Sequence, residues 1–300
     1  MLKLDFILIG AQKAGTTTLD SWMAQHPEIY LPPQKELNFF ALEGKKPDWP
    51  GPGDDVAVDG SVGNRADYES IFESAGDAKV NGESSVLYLY SERAPVAIHR
   101  EFPEARFIVS LRNPIDRAYS AFGHLRRDGR EPEADFSKAL ELEELRISKG
   151  WEPLWHYRAM GFYGRQLVHW LSYFDRSQFF IVHNSQLRRN PDTAIREIFR
   201  FIGVDSVFRP NLSIESNSSG ISRNQQLNDF LNLPHGFKSI LKKIVPLRFG
   251  RRVKTLIQKN NLQRLAAMPE ELRVQLTKEY AEDQALVEEQ VGYDLPPVSR

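Results

Sequence analysis

Residues 10–18, Gly-Ala-Gln-Lys-Ala-Gly-Thr-Thr-Thr, combine the residue types from which anion sites are built. They follow an apolar run at 6–9, which predicts a buried strand, and precede a helical pattern from about 17 to 25. A glycine-containing turn at a helix start presents backbone N–H groups and the positive end of the helix dipole. Lys13 adds a mobile cation, and the threonines add hydroxyl donors. The loop therefore predicts a phosphate or sulfate site, with an ordinary threonine-capped strand–helix turn as the alternative.

A second strand-to-helix junction runs from Leu111 to Ser120. Arg112 follows the apolar run at 106–111 and offers a planar guanidinium fork to a phosphate. Pro114 stands where a helix can begin, and Ser120 lies two turns further along it. Two anion sites in one chain indicate a ligand that is phosphorylated at two positions. The alternative is Arg112 paired with a surface carboxylate and Ser120 merely exposed.

The position of the lysine separates the first loop from the common nucleotide-binding loops. In the GxxxxGK[ST] loop of kinases and NTPases, the lysine directly follows the second glycine. Here Lys13 precedes Gly15, and no GxGxxG dinucleotide pattern is present. The loop thus predicts anion binding of a different kind from that of nucleoside triphosphates.

Both loops resemble those of PAPS-dependent sulfotransferases, in particular the heparan sulfate N- and O-sulfotransferase type and its bacterial relatives. IGAQKAGTT at 9–17 is similar to the family's 5′-phosphosulfate loop, and RNPxxRAYS at 112–120 to its 3′-phosphate motif. The resemblance implies PAPS as co-substrate and PAP as product. It also implies a set of nucleotide-binding residues: Lys13, Ala14, Gly15, Thr16, Thr17 and Thr18 at the 5′ end, Arg112 and Ser120 at the 3′-phosphate, and Arg223 from a late loop.

The resemblance also extends to the acceptor side. PQKELNFF at 33–40 is similar to the family segment whose glutamate is the general base, which implies Glu36 as the base with Lys35 beside the acceptor. His124 stands where similar glycan enzymes carry a histidine near the acceptor. NGESSVLY at 81–88 matches a further segment, which implies Glu83 and Ser84 as acceptor contacts, with a base or a structural carboxylate as the alternatives for Glu83. Ser84 replaces a lysine that many glycan enzymes have. Solvated or structural roles are the alternatives for these side chains.

The implied reaction is an in-line displacement at sulfur. Glu36 removes the acceptor proton, while Lys13 stabilises charge on the bridging oxygen; His124 is a third candidate catalytic residue. A sulfonyl group carries less negative charge than a γ-phosphoryl group, so we expect no metal requirement. The acceptor implied is a hydroxyl or amine of a carbohydrate, with a lipid, a peptide or a small phenol as alternatives.

Apolar runs alternate with helical patterns along the chain, which predicts an α/β fold: a P-loop-like three-layer domain with a central parallel sheet and a helical C-terminal part. Strands are expected at 6–9, 79–84, 106–111 and 178–182. Helices are expected at 17–25, 92–102, from 114, and at 135–148, 161–174, 192–202 and 270–291. We expect a single domain over 1–300, with an irregular excursion at 44–67 and a variable, basic, helical region at 224–270.

The 300 residues carry a net charge of −1 and no cysteine, which excludes disulfides, thiolate metal sites and cysteine nucleophiles. No signal peptide or long apolar segment is visible, so a cytoplasmic location without a transmembrane anchor is expected. The basic segment 238–259 has three alternatives: a solvated helix face, a glycan surface or contact with acidic lipids. No nucleic-acid-binding module accompanies it, and the oligomeric state stays open.

Two hypotheses from other classes remain beside the sulfotransferase. One is a P-loop phosphotransferase or kinase, which the position of Lys13 disfavours. The other is a nucleotide-binding regulator or scaffold without catalysis, which the presence of Glu36 and Lys13 disfavours and the substitution at Ser84 leaves open.

Overall fold

The computed structural model describes residues 2–58, 60–213, 221–222, 262–263 and 265–293. Five parallel strands form its central sheet in the order β2-β3-β1-β4-β5, with β1 in the middle. The strands are β1 (Phe6–Gly10), β2 (Ile29–Tyr30), β3 (Val80–Ser84), β4 (Arg106–Leu111) and β5 (Phe179–His183). A separate antiparallel pair joins β6 (Ile221–Ser222) to β7 (Leu262–Gln263).

Helices cover both faces of the sheet. They are α1 (Thr16–Met23), α2 (Arg65–Ile71), α3 (Ala94–Glu101), α4 (Pro114–Arg127), α5 (Phe136–Glu141), α6 (Glu143–Ser148), α7 (Tyr163–Leu171), α8 (Asn184–Arg189), α9 (Pro191–Ile202) and α10 (Glu270–Leu286), which continues as a π-helical turn to Val291. Alternate residues of the central strand enter different cores: Ile7 and Ile9 face one, Phe6 and Leu8 the other. A parallel sheet covered on both faces explains why β1, at its centre, is an unbroken apolar run.

The fold-class prediction is confirmed: a parallel sheet lies between helices, and a long helix ends the described chain. The element boundaries differ in places. The helix predicted at 135–148 is two short helices that meet at Leu142. The two-residue strand β2, helix α2 and helix α8 were not predicted, because each is too short to show a period in the sequence.

The excursion at 44–67 is anchored to the rest of the molecule by a buried carboxylate. Asp54 is 0% exposed and accepts hydrogen bonds from the Trp155 indole at 2.8 Å and from the backbone of Glu152 at 2.8 Å. The guanidinium of Arg130 pairs with Asp54 and with Glu152. Since a buried charge must be paired, this cluster fixes the excursion against the segment between α4 and α7.

A side chain of helix α10 caps the N-terminus of α7. Asp283 accepts from the backbone N–H groups of Gly164 at 2.7 Å and Arg165 at 3.0 Å, as an N-capping side chain would. Arg223 and the basic segment 238–259 lie outside the described residues, as does most of the region predicted to be variable at 224–270.

Candidate functional site

Three helices begin at the carboxyl-terminal edge of the sheet. Helix α1 follows β1, α4 follows β4 and α8 follows β5, and all three strands are neighbours. Their starts line a cavity of about 1170 Å³. Ligands of open α/β sheets bind at this edge, where strand ends and helix N-termini meet. The topology therefore brings the two predicted anion loops, whose Lys13 and Arg112 are 99 residues apart in sequence, to one cavity.

The start of α1 is an open helix N-terminus. Gly15 is its N-cap residue, has φ 94°, and provides no side chain to cap the first N–H groups. The carbonyl of Ala14 accepts from Ser110 Oγ at 2.7 Å and from Asn184 Nδ2 at 2.8 Å. Side chains from β4 and α8 therefore fix the loop. The Gly15 carbonyl accepts from the N–H groups of Thr18 at 3.1 Å and Leu19 at 3.2 Å, so the N–H groups of Thr16 and Thr17 precede the first helical hydrogen bond. An anion in the cavity can accept from them.

Lys13 lies where the two loops meet, since its carbonyl accepts from Arg112 of the second loop. Its φ of 70° is in the left-handed region, and its Nζ donates to Nδ1 of His124 at 3.2 Å. Burial, together with the positive charge of Arg127, lowers the pKa of Lys13 to about 8. A desolvated ammonium group beside other cations is stabilised when an anion arrives, which suits a residue that must meet developing negative charge.

His124 is neutral in this arrangement. Lys13 and Arg127 both direct donors at Nδ1, the second at 2.7 Å, so Nδ1 must be the accepting nitrogen. The proton then resides on Nε2, which lies 3.4 Å from Oδ2 of Asp128. Burial and the charge of Lys13 hold the pKa of His124 well below its ordinary value. His124 thereby connects Asp128 to Lys13 and fixes the position of the lysine.

The second loop is built differently, because a side chain already caps its helix. Asn113 Oδ1 accepts from the N–H groups of Ile115 at 3.0 Å and Asp116 at 3.2 Å. Arg112 donates to the carbonyl of Lys13 at 3.2 Å, and burial lowers its pKa, with Arg188 adding a like charge. Arg112 and Arg188 both line the cavity. Two adjacent guanidinium groups favour an anion between them.

Glu36 lies in the same cavity as Lys13. Its φ of 56° is left-handed, and its Oε2 accepts from the backbone N–H of Val86 at 3.0 Å. Burial raises the pKa of Glu36 to about 7, against the lowering effect of Lys35. A carboxylate with a pKa near neutrality is suited to take a proton at physiological pH.

Most of the predicted site residues line the cavity: Lys13, Gly15, Thr16, Thr17, Thr18, Glu36, Arg112, Ser120 and His124. Four do not. Ala14 contributes only the carbonyl described above, and Lys35 lies 3.6 Å from Asp20, an inward-facing carboxylate of α1. Ser84 is 4% exposed in the same neighbourhood, where burial raises the pKa of Asp20 against the lowering effects of Lys35 and of the Ser84 hydroxyl.

Glu83 is the fourth residue outside the cavity wall. It is 0% exposed and accepts from the hydroxyls of Tyr68, Ser85 and Tyr88, each at 2.6 Å. Burial raises the pKa of Glu83. The geometry therefore gives Glu83 a structural role, and its predicted contact with an acceptor has no support here.

Several residues that line the cavity were not predicted from the sequence. Asn184 and Arg188 come from the unpredicted helix α8, Trp22 from the far end of α1, and Trp49 from the excursion. The one available signal was the position of Asn184, two residues after the strand predicted at 178–182, at the edge where ligands of such sheets bind. For the others, only the fold shows that they face the cavity.

The sequence profile described as "Sulfotransferase family" matches residues 5–209, more than half of the chain. The chain belongs to the sulfotransferase family. A crystal structure of a sulfotransferase from Alicyclobacillus acidocaldarius superposes with a TM-score of 0.78 at 30% identity and covers 100% of both chains. The sulfotransferase domain from the curacin biosynthetic pathway, at 14% identity and a TM-score of 0.53, shares the fold. These likenesses confirm the family and the fold predicted from the two loops.

Among curated proteins, the mouse bifunctional heparan sulfate N-deacetylase/N-sulfotransferase 4 is 30% identical over 214 residues, which are 66% of this chain and 22% of that protein. Human heparan sulfate glucosamine 3-O-sulfotransferase 6 is 24% identical over 207 residues, 67% of this chain and 52% of that protein. The chain thus matches about a fifth of the length of the first relative and half of the second.

Within the described ranges, no group of three or more His, Cys, Asp or Glu side chains is arranged to hold a metal ion. No helix in the same ranges is long and apolar enough to cross a membrane.

Proposed function

We propose that this sulfotransferase transfers a sulfonate group from PAPS to a hydroxyl or amine of a carbohydrate-type acceptor. The observation that carries the proposal is the single cavity at the sheet edge, which Lys13, Glu36 and Arg112 line together. Its volume of about 1170 Å³ has room for both a nucleotide and an acceptor. The heparan sulfate relatives support the carbohydrate class.

The cavity residues fit a bisphosphorylated nucleotide. The open start of α1, with Gly15, Thr16, Thr17 and Thr18, would bind the 5′-phosphosulfate. Arg112 and Ser120, joined by Arg188, would bind the 3′-phosphate. The apolar side chains of Trp22, Leu187 and Leu212 line the same cavity and offer a surface for the adenine.

The chemistry we propose is a one-step displacement. Glu36 takes the proton of the acceptor hydroxyl as the acceptor oxygen forms its bond to sulfur. The bond between sulfur and the bridging phosphate oxygen breaks, and Lys13 neutralises the charge that develops on that oxygen. His124, held by Asp128, keeps the ammonium group of Lys13 in place. The products are the sulfated acceptor, PAP and a proton carried by Glu36.

A thermal-shift comparison tests the donor half of the proposal. PAP should raise the melting temperature, because it binds the folded state through both anion sites. ATP with Mg²⁺ should raise it much less, since the lysine is not placed for a triphosphate. An equal or larger response to ATP would favour the phosphotransferase alternative. PAP binding without sulfonate transfer to any acceptor in a radiolabelled-PAPS panel would favour the regulator or scaffold.

The pH dependence of kcat/KM tests the proposed roles of Glu36 and Lys13 in the reaction. Because Glu36 must be deprotonated, kcat/KM should rise as the pH passes about 7. Because Lys13 must be protonated, kcat/KM should fall above a pH of about 8. Glu36→Gln should lower kcat by about a hundredfold or more and remove the acidic limb. The variant should keep the rise in melting temperature that PAP causes, and this control would show that its fold is intact. A variant with unchanged turnover would remove Glu36 from the mechanism.

A further inference from the structure

The cavity continues past the catalytic lysine onto a surface that no sequence motif indicated. Lys13 contacts His124, His124 contacts Arg127 and Asp128, and beyond them the excursion meets the segment between α4 and α7. We call this surface the acceptor wall, and its members are Trp49, Ala57, Arg130, Glu152, Pro153 and Leu154. The charge of Arg130 acts on His124 and that of Asp128 acts on Glu152, so the wall adjoins the residues that contact Lys13.

The arginines near this wall are already neutralised by the protein itself. Arg130 pairs with Asp54 and Glu152, and its Nε donates to the carbonyl of Pro52 at 3.0 Å. Arg127 donates from Nε to Asp128 at 2.9 Å. Each guanidinium near the wall thus has its own carboxylate, which contrasts with the adjacent Arg112 and Arg188 of the nucleotide side.

Around the acceptor wall, carboxylate side chains outnumber cationic side chains among the described residues when Glu36 is counted. Within the described ranges, two arginines pair with Asp128 and Glu152. Lys35, whose charge acts on Glu36, lies 3.6 Å from Asp20 through its Nζ, and Lys13 is committed to the donor. An anionic group brought here would lose its hydration and gain no unpaired cation from the part of the chain that the structure describes. It would also repel the negative charge that Glu36 must keep in order to act as a base.

The remaining members of the wall are apolar or aromatic. Trp49 is partly exposed, and Ala57, Pro153 and Leu154 extend the apolar surface beside it. An indole face and small apolar side chains pack well against the C–H face of a sugar ring or against a hydrocarbon group. Such a surface gives affinity to an uncharged molecule and none to a polyanion.

From these contacts we infer that the acceptor of this sulfotransferase is an uncharged hydroxyl compound with an apolar or C–H-rich face, and not a polyanionic glycan chain. The inference rests on the proposed sulfonate transfer and narrows it to a substrate class. It separates this chain from the substrate that the names of its heparan sulfate relatives suggest. The ion pairs of Arg130 with Asp54 and Glu152 neutralise the guanidinium group of the wall itself.

The test uses two acceptors that differ only in charge. Phenyl β-glucuronide carries a carboxylate, and its carboxamide is uncharged but has the same hydroxyl groups and the same aromatic group. With the full chain and radiolabelled PAPS, we expect the carboxamide to have a kcat/KM at least about tenfold higher, since an unpaired desolvated carboxylate costs more than 1 kcal/mol. Heparosan oligosaccharides serve as the polyanionic comparison.

The outcomes separate the inference from the function on which it rests. Preference for the glucuronide or for heparosan would overturn the inference, yet it would leave sulfonate transfer established. No transfer to either phenyl glycoside, together with no binding of either to the PAP-saturated protein, would also overturn it. If PAP itself fails to stabilise the chain, the proposed function is what fails.

Two variants connect the preference to the wall. Glu152→Gln removes one carboxylate from Arg130, while the backbone N–H of Glu152 keeps its bond to Asp54 at 2.8 Å. It should raise the kcat/KM of the glucuronide relative to the carboxamide by several-fold. Trp49→Ala should raise the KM of the carboxamide with little change in kcat. Both should keep the PAP-induced shift, and an unchanged charge preference in Glu152→Gln would count against the inference.

Discussion

The starts of α1 and α4 lie side by side at one sheet edge, yet they offer an anion different groups. Helix α1 begins at Gly15, which has no side chain, so its first N–H groups are open to the cavity. Helix α4 begins after Asn113, whose side chain accepts from the N–H groups of Ile115 and Asp116. The 5′ site that we propose therefore consists of backbone groups, and the proposed 3′ site consists of the side chains of Arg112, Ser120 and Arg188.

The difference predicts how each site responds to substitution. A backbone site depends on conformation, here on the left-handed φ of 94° at Gly15 and 70° at Lys13. A side-chain site depends on charge and can be weakened one group at a time. Substitutions at the first loop should thus affect any ligand with a 5′-phosphate, whereas those at the second should affect only ligands with a 3′-phosphate.

Lys13→Ala should have the largest effect. The ammonium group meets charge that grows on the bridging oxygen only during transfer, so kcat should fall by about 10² to 10³-fold. Most of the PAP-induced thermal shift should remain, because the backbone donors of α1 are intact. Turnover with the acceptor at saturation is the measurement. A variant with normal kcat would show that the first loop binds the donor without taking part in the reaction.

Arg112→Ala should come next. The loss of a charge-assisted pair to the 3′-phosphate should weaken the binding of PAP by about ten- to a hundredfold. This corresponds to the loss of about 1.5–3 kcal/mol of binding free energy. Adenosine 5′-phosphate, which lacks that group, should bind almost as before, and calorimetry with both ligands measures the contrast. Arg188→Ala is the matched control: it removes an exposed arginine of the same site, so its effect should have the same ligand dependence and be smaller. Equal losses for both nucleotides would contradict a 3′-phosphate role for Arg112.

Gly15→Ala should weaken both nucleotides by about tenfold, because it distorts the shared 5′ site. A Cβ at this position would lie 2.5 Å from Nδ2 of Asn184, and the φ of 94° is strained for alanine. Adding Asn184→Ala relieves the contact but not the strain, so the double variant should recover only part of the affinity. A selective loss for PAP over adenosine 5′-phosphate would contradict the backbone assignment.

The same contrast explains what the sequence could predict. The first loop is local: a strand, Gly15, Lys13 and a helix lie within 18 residues, so the anion site is visible without the fold. Arg112 is visible for the same reason, since it directly follows an apolar strand. The parallel sheet followed from the alternation of strands and helices.

The acceptor wall could not be predicted, because its members meet only through distant contacts. Asp54 is bound by Arg130, 76 residues away, and by Trp155, 101 residues away. Nothing near Trp49 in the sequence indicates that these bonds turn the excursion toward the cavity. Glu83 shows the converse: its sequence neighbours suggested an acceptor contact, and the fold surrounds it with three hydroxyl groups instead.

Asn113→Ala should have the smallest effect on the nucleotide, and it tests the comparison most directly. The variant loses the cap of α4, which should lower the free energy of unfolding by about 1 kcal/mol. PAP affinity should change by less than about twofold, or should even increase slightly, since the uncapped N–H groups become available to the 3′-phosphate. Denaturant unfolding and calorimetry on one preparation give both numbers. A large loss of PAP affinity at normal stability would mean that Asn113 itself contacts the nucleotide, and the two helix starts would then be more alike than their caps indicate.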